Sequence, residues 1–320
     1  MVLKKVTIGL LFSLTTFLFG FYSHSYFFSQ RNDNLRESRL NGQFRYINPL
    51  LECDNNSISQ DANLDKLKLQ LEQQFGNNTS IYYRDMNNGP WFGVHEREYF
   101  SPASLIKVPL IMALLKKAQN NSLLLDTEIL NPTPYDPATQ NIQPKVTLAP
   151  NKKYTIRQLI EQMIIYSDDV SFNLLNQQLT NSEINKVYSD LGVDISKGIL
   201  NPNGNIITVK AYASFFRILF NASYLSPEMS EYALNLLSQS DFKDGIVAGL
   251  PKNIVSAHKF GERQYLDTGL KQLHDCGIVY LTNKPYLLCV MTRGDNFDSL
   301  KSVIGNVSKI VYSYVSSVDR

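Results

Sequence analysis

Cysteine is scarce. The three in 320 residues, Cys53, Cys276 and Cys289, are too few and scattered for a disulfide scaffold, and they lack the paired spacing of a zinc site. No metal and no cofactor are expected. An excess of one charge is missing too, since 31 Lys and Arg face 29 Asp and Glu for a formal net of +2. That balance offers no field for a phosphate backbone and excludes nucleic acid as an expected partner. There is no internal repeat, and no low-complexity stretch beyond one polar linker. What is present, 43% apolar and 19% charged residues, excludes disorder and collagen. A chain of 320 residues can bury a sizeable core in one large domain or two small ones.

Charge is absent altogether from Val6 to Tyr22, between Lys5 and Arg31. This run of 17 residues lies at the lower edge of a membrane span, which needs about 20, so an anchor and a signal peptide both fit. Phe12, Phe17, Phe19, Phe21 and Tyr22 leave no polar face, which speaks against a buried core helix. Ser23-His24-Ser25 is a weak version of a small-residue cleavage site, so a retained anchor is favoured over secretion after cleavage near Ser25. Lys4 and Lys5 make the short N-terminal side cytoplasmic by the positive-inside rule, and everything after residue 30 is expected outside the membrane.

The expected organisation is an anchor over 1–30, a linker over 31–62 and one domain over 63–320. The linker is rich in Asn, Ser, Arg and Asp, broken by the apolar run Phe44 to Leu51, which can dock on the domain. Leu64, Leu67, Leu71 and Phe75 predict a helix ending at Gly76-Asn77. Ile81 to Tyr83 and Trp91 to Val94 predict a hairpin. From about 104 to 250 the periods are helical, over Ser104–Ala118, Ile156–Ile165 behind a Thr155/Gln158 capping box, Val170–Leu179 and Val209–Phe220. Strand-like runs return at Ile254–Phe260, Cys276–Leu281 and Leu287–Thr292, before a final helix through Leu300, Ile304, Val307, Val311 and Val315. Two early and three late strands with a helix at each extremity predict one antiparallel sheet with helices packed on it and a helical lobe inserted. Cys276 and Cys289 can face each other across a hairpin turning near Thr282-Asn283, but isolated strand cysteines are usually small core residues, and that is the expectation here over a disulfide.

Three Ser-x-x-Lys tetrads occur, at Ser104, Ser240 and Ser256. On a helix, residues i and i+3 share a face, so a lysine there can reach the serine and, with its pKa lowered by burial, take its proton. Only Ser104-Leu105-Ile106-Lys107 opens an apolar helix directly after a hairpin; Ser240 lies in a polar stretch, and Ser256 and Lys259 on a strand point to opposite faces. Tyr166-Ser167-Asp168-Asp169 then falls between two helices, and His258-Lys259-Phe260-Gly261 falls on a strand.

Ser-x-x-Lys, Ser-Asp-Asn and Lys-Thr/Ser-Gly in that order are the motif set of class A β-lactamases and penicillin-binding proteins. The chain resembles that family over roughly residues 63 to 320. The resemblance implies a DD-peptidase/β-lactamase-like α+β fold, with a five-stranded antiparallel sheet flanked by the terminal helices. It implies Ser104 as acylated nucleophile, Lys107 as base or proton relay, Ser167 as proton donor to the leaving nitrogen, and Lys259 as partner of the substrate carboxylate. Asp169, Phe260, Gly261 and Glu262 stand at its substrate-binding positions, with an oxyanion hole from the backbone N–H groups of Ser104 and Glu262.

The sequence departs from the pattern in three places. Asp169 replaces the asparagine amide by a carboxylate that only accepts hydrogen bonds. Phe260 removes a hydroxyl donor, and no Asp or Glu occurs from Ile195 to Pro227, where β-lactamases carry the glutamate that activates the deacylating water. The implied function is an exported monomeric serine hydrolase acting on a β-lactam or a D-Ala-D-Ala-like peptidoglycan stem peptide, with slow deacylation. The alternative is a membrane-anchored penicillin-binding or sensor module without turnover. His258 and His274 are expected to pack within strands, Asp168 to be structural, and Tyr135 to wall the cleft.

The N-terminal pattern makes a checkable statement. On fractionation, the full-length chain should sediment with membranes, whereas a chain beginning near residue 60 should stay in solution. An intact mass starting near Tyr26 would overturn the anchor in favour of cleavage.

Overall fold

The computed structural model describes residues 44–48, 62–87, 89–121, 123–193 and 204–318. The uncharged run 6–22, most of the linker and part of the acid-free stretch after Ile195 lie outside the described residues. No described helix is long and apolar enough to cross a membrane.

The sheet is set by alternation. Helix α1 (Ala62–Phe75) leads into β1 (Thr79–Asp85) and β2 (Trp91–Val94). After the lobe come β7 (Val255–Gln264), β8 (Lys271–Tyr280), β9 (Tyr286–Gly294) and helix α8 (Phe297–Ser317). The strand order is β2-β1-β9-β8-β7, antiparallel throughout, with β7 at an edge. Along β9, Leu287, Cys289 and Met291 face the helical lobe, while Tyr286, Leu288 and Val290 face the terminal helices. Both faces are therefore buried, and the strand reads as a continuous apolar run, as two-sided strands do. Fully burying each such side chain contributes about 1.5–3 kcal/mol.

The lobe contains β3 (Tyr99–Phe100), α2 (Lys107–Asn120), β4 (Glu128–Asn131) and β5 (Lys152–Thr155). It continues with α3 (Ile156–Ile165), α4 (Asp169–Asn176), α5 (Asn181–Asp190), β6 (Ile207–Thr208), α6 (Val209–Phe220) and α7 (Pro227–Ser238). The Thr155/Gln158 capping box that opens α3 is present. Helices α5 and α7 are additions to the sequence expectation. Their signals are caps rather than periodicity: a Thr180/Glu183 capping box, and Ser226 accepting from Met229 N with Pro227 in the first turn. Strands β7 and β8 are longer than expected because their distal ends, Gly261–Gln264 and Lys271–Asp275, are mostly polar and are held by pairing with each other.

Two further features tie the fold. Part of the linker, residues 44–48, is docked: Arg45, Tyr46 and Ile47 donate backbone N–H bonds to the Glu231 carboxylate at 2.6, 2.8 and 3.0 Å. Phe44, Tyr46 and Ile47 are buried, and Tyr280 donates its hydroxyl to Tyr46 O. Between β8 and β9, Cys276 stands opposite Cys289, and here the structure departs from the two separate core residues expected: facing positions in adjacent strands bring the sulfurs into a disulfide. Denatured protein should accordingly expose two more alkylatable thiols after reduction than before, by intact mass; equal counts would mean that Cys276 and Cys289 are free.

Candidate active site

Ser104 sits on a tight turn. Pro102 precedes a 3₁₀ segment, Ala103–Ile106, closed by Leu105 N donating to Pro102 O at 2.9 Å. Tyr212 anchors it by donating its hydroxyl to Leu105 O at 3.0 Å. The sequence predicted α-helix from Ser104; instead α-helix begins at Lys107. The consequence favours contact, because residues i and i+3 nearly eclipse in a 3₁₀ turn. Lys107 Nζ lies 3.0 Å from Ser104 Oγ. Strand β7 passes close beside this turn at Gly261, where an added Cβ would lie 2.9 Å from Pro102 O and 3.0 Å from Leu105 N. Only glycine permits that approach.

The second wall is the break between α3 and α4. Asp168 caps α4 by accepting from Ser171 N at 2.5 Å, which is the structural role expected of it. Ser167, just before, has φ of +60°, and Ala103, just before Ser104, has φ of +46°. Each left-handed non-glycine residue costs about 1–2 kcal/mol, so the chain holds strain on both sides of the cleft, as functional sites do.

Lys107 is 1% exposed and Lys259 is fully buried. Lys107 Nζ donates to Ser167 O at 2.6 Å, to Asp169 Oδ1 at 2.5 Å and, at 3.2 Å, to Ser167 Oγ. Lys259 Nζ donates to Ser167 Oγ at 2.8 Å and to Phe260 O at 2.9 Å. The result is one continuous polar chain, Ser104 Oγ, Lys107 Nζ, Ser167 Oγ, Lys259 Nζ. Burial lowers the Lys107 pKa, opposed by the neighbouring Asp169 charge and hydrogen bond. Burial, reinforced by the Lys107 charge, pushes Lys259 well below the ordinary lysine value. Burial raises the Asp168 carboxyl. Two amines with lowered pKa beside two serine hydroxyls can accept, relay and return a proton more readily than ordinary lysines.

The structure thus brings Ser104, Lys107, Ser167, Asp169 and Lys259 together, with Gly261 and Glu262 beside them. Phe260 corrects its expected substrate-binding role: its side chain is 4% exposed and stacks on Phe242 with centroids 4.2 Å apart. That burial takes the ring out of reach of a substrate, although Lys259 Nζ lies over it at 4.2 Å. Asp169 Oδ1 is engaged by Lys107, while the side chain stays 34% exposed. His258 Nδ1 lies 2.8 Å from Asp275 Oδ1, fully buried, while Asp275 Oδ2 accepts from Ile246 N. His274 contacts Ser101 O at 3.0 Å, and burial lowers its pKa to about 3. Both imidazoles pack strands, as expected.

Two residues were missed. Gln140, buried in the Pro-rich stretch, donates Nε2 to Ser167 O at 3.0 Å. The Glu262 carboxylate accepts from Asn141 N at 2.7 Å, Asn141 Nδ2 at 2.8 Å and Ile142 N at 3.3 Å. No residue pattern in the loop announces either contact. Tyr135, in the same loop, bonds Gln143 Oε1 through its hydroxyl at 2.5 Å. Burial raises its pKa, with the charges of Asp168 and Asp169 adding to the effect.

A five-stranded sheet, an inserted helical lobe and a buried lysine in contact with a serine at their junction are the frame of a serine hydrolase. The comparisons with known proteins name the family: a model for the beta-lactamase enzyme family matches residues 63–315, and the chain belongs to it as a β-lactamase-like serine hydrolase. A β-lactamase of Phocaeicola vulgatus is 23% identical over 252 residues, covering 71% of this chain and 77% of that protein. The fold is shared with PBP-A at 22% identity and a TM-score of 0.66, over 80% of this chain and 97% of PBP-A. It is also shared with a class A β-lactamase from Mycobacterium abscessus at 21% identity and a TM-score of 0.65, over 79% and 99% of the two chains.

The Lys107–Asp169 ion pair sets the direction of a pH effect. Asp169 holds the Lys107 pKa up against burial. Replacing it by Asn removes that support, so the amine becomes neutral at lower pH. If neutral Lys107 is the base, the acid limb of the acylation-rate profile should move to lower pH in Asp169→Asn. A limb that stays in place, measured by intact-mass kinetics across pH, would remove Lys107 from that role.

Proposed function

We propose that this protein is an exported, membrane-tethered serine hydrolase that opens β-lactam or D-Ala-D-Ala-like amide bonds through an acyl-enzyme on Ser104 and releases the acyl group slowly. The observation that carries this reading is the contact of a buried amine, Lys107, with Ser104 Oγ at 3.0 Å. Neutral Lys107 takes the Ser104 proton as Oγ attacks the substrate carbonyl. The oxyanion falls to the backbone N–H groups of Ser104 and Glu262, where each donor contributes about 3–4 kcal/mol. As the C–N bond breaks, the proton passes through Ser167 Oγ to the leaving nitrogen, leaving an ester on Ser104. Lys259 orients Ser167 through its 2.8 Å bond.

Three observations support the details. A point mutant of PBP-A, similar in fold to this chain (TM-score 0.64), forms an acyl-enzyme complex with penicillin G. The Cys276–Cys289 bond supports export, because disulfides persist in oxidising compartments. Slow release follows from the acid-free stretch Ile195 to Pro227. Losing the general base for water typically costs about 10²- to 10⁴-fold in rate.

With nitrocefin, a burst of about one equivalent per enzyme followed by a slow steady state is expected. The burst should vanish in Ser104→Ala and Lys107→Ala, and rapid linear turnover without a burst would refute slow deacylation.

A further inference from the structure

Among the described residues, one loop touches both walls of the cleft. Gln140 Nε2 donates to Ser167 O at 3.0 Å on the helical wall. The next two residues give three hydrogen bonds to the Glu262 carboxylate on β7: Asn141 N at 2.7 Å, Asn141 Nδ2 at 2.8 Å and Ile142 N at 3.3 Å. Glu262 follows Gly261, which lies against the turn that carries Ser104, and β7 is an edge strand whose outer side has no strand partner. Loop and carboxylate therefore bridge the groove beside the nucleophile, along the free edge that an extended acyl group would follow. Ser104 itself stays partly exposed, so the bridge does not seal the entrance.

We propose that the Glu262 side chain is a specificity-determining residue, holding the 140–142 loop across the cleft so that compact acyl donors reach Ser104 freely and bulky ones must first break the bridge. This rests on the acyl-enzyme reading above. A carboxylate is suited to the task because it accepts from charged or neutral donors without needing a proton of its own, and its bonds are stronger than neutral ones. The three donors are exposed or only partly buried, so water can replace Glu262 when the bridge opens, and opening stays reversible. Apparent reactivity toward a bulky donor is its intrinsic reactivity multiplied by the fraction of molecules with the bridge open.

The experiment compares acylation of the full chain by benzylpenicillin and by a cephalosporin carrying a branched oxime side chain, both followed by intact mass. In Glu262→Ala the ratio of cephalosporin to penicillin rates should rise about tenfold, and in Asn141→Ala, which removes one of three bonds, it should rise less in the same direction. A ratio of rates is insensitive to the fraction of each variant that folds. Hydrogen exchange should quicken at the Asn141 and Ile142 amides of Glu262→Ala. Acylation with an unchanged ratio overturns the proposal alone. Failure of both compounds to acylate the unaltered protein overturns the acyl-enzyme reading and the proposal with it.

Discussion

Lys107 and Lys259, both stripped of water, converge on the single hydroxyl of Ser167, and much of the molecule is arranged to make that tolerable. An isolated buried ammonium is expensive, and two close together repel as well. Each amine is given acceptors: Asp169 and Ser167 O for Lys107, Phe260 O for Lys259. The elements that supply them come from opposite sides of the fold, α4 and the α3–α4 break from the lobe and β7 from the sheet. Closing the lobe on the sheet and keeping the amines satisfied are therefore one requirement. The left-handed Ser167, which turns both its carbonyl and its hydroxyl toward these amines, is strained in its service.

This pairing explains why a carboxylate is acceptable where related proteins carry an amide. Asp169 is a counter-ion before it is a recognition element: it makes a cation bearable at Lys107 and thereby limits how far burial depresses that amine. The contact uses one of its two oxygens, Oδ1.

The sheet and the reacting side chains were legible because each has a local signature. The apolar run Leu287–Thr292, the box at Thr155, and tetrads told apart by their surroundings are all short-range patterns. Contacts that depend on distant parts of the chain were not legible. Phe260 looked like a cleft residue by position, yet the ring finds Phe242 and turns inward. Glu262 was legible only for its backbone, because the loop that its carboxylate grips lies 121 residues away in sequence and shows no pattern of its own. The α5 and α7 helices went unread where apolar periodicity is weak, although their caps were in plain view.

The bond between β8 and β9 also bears on Lys259, which pairs with Cys276 in the ladder. In a sheet buried on both faces, a slip of one residue exchanges inner and outer side chains wholesale. A covalent rung at Cys276–Cys289 forbids that slip in the strand against which β7 is aligned. Oxidation thus works as a ruler, fixing the position along β8 from which the height of the Lys259 amine above the cleft floor is counted.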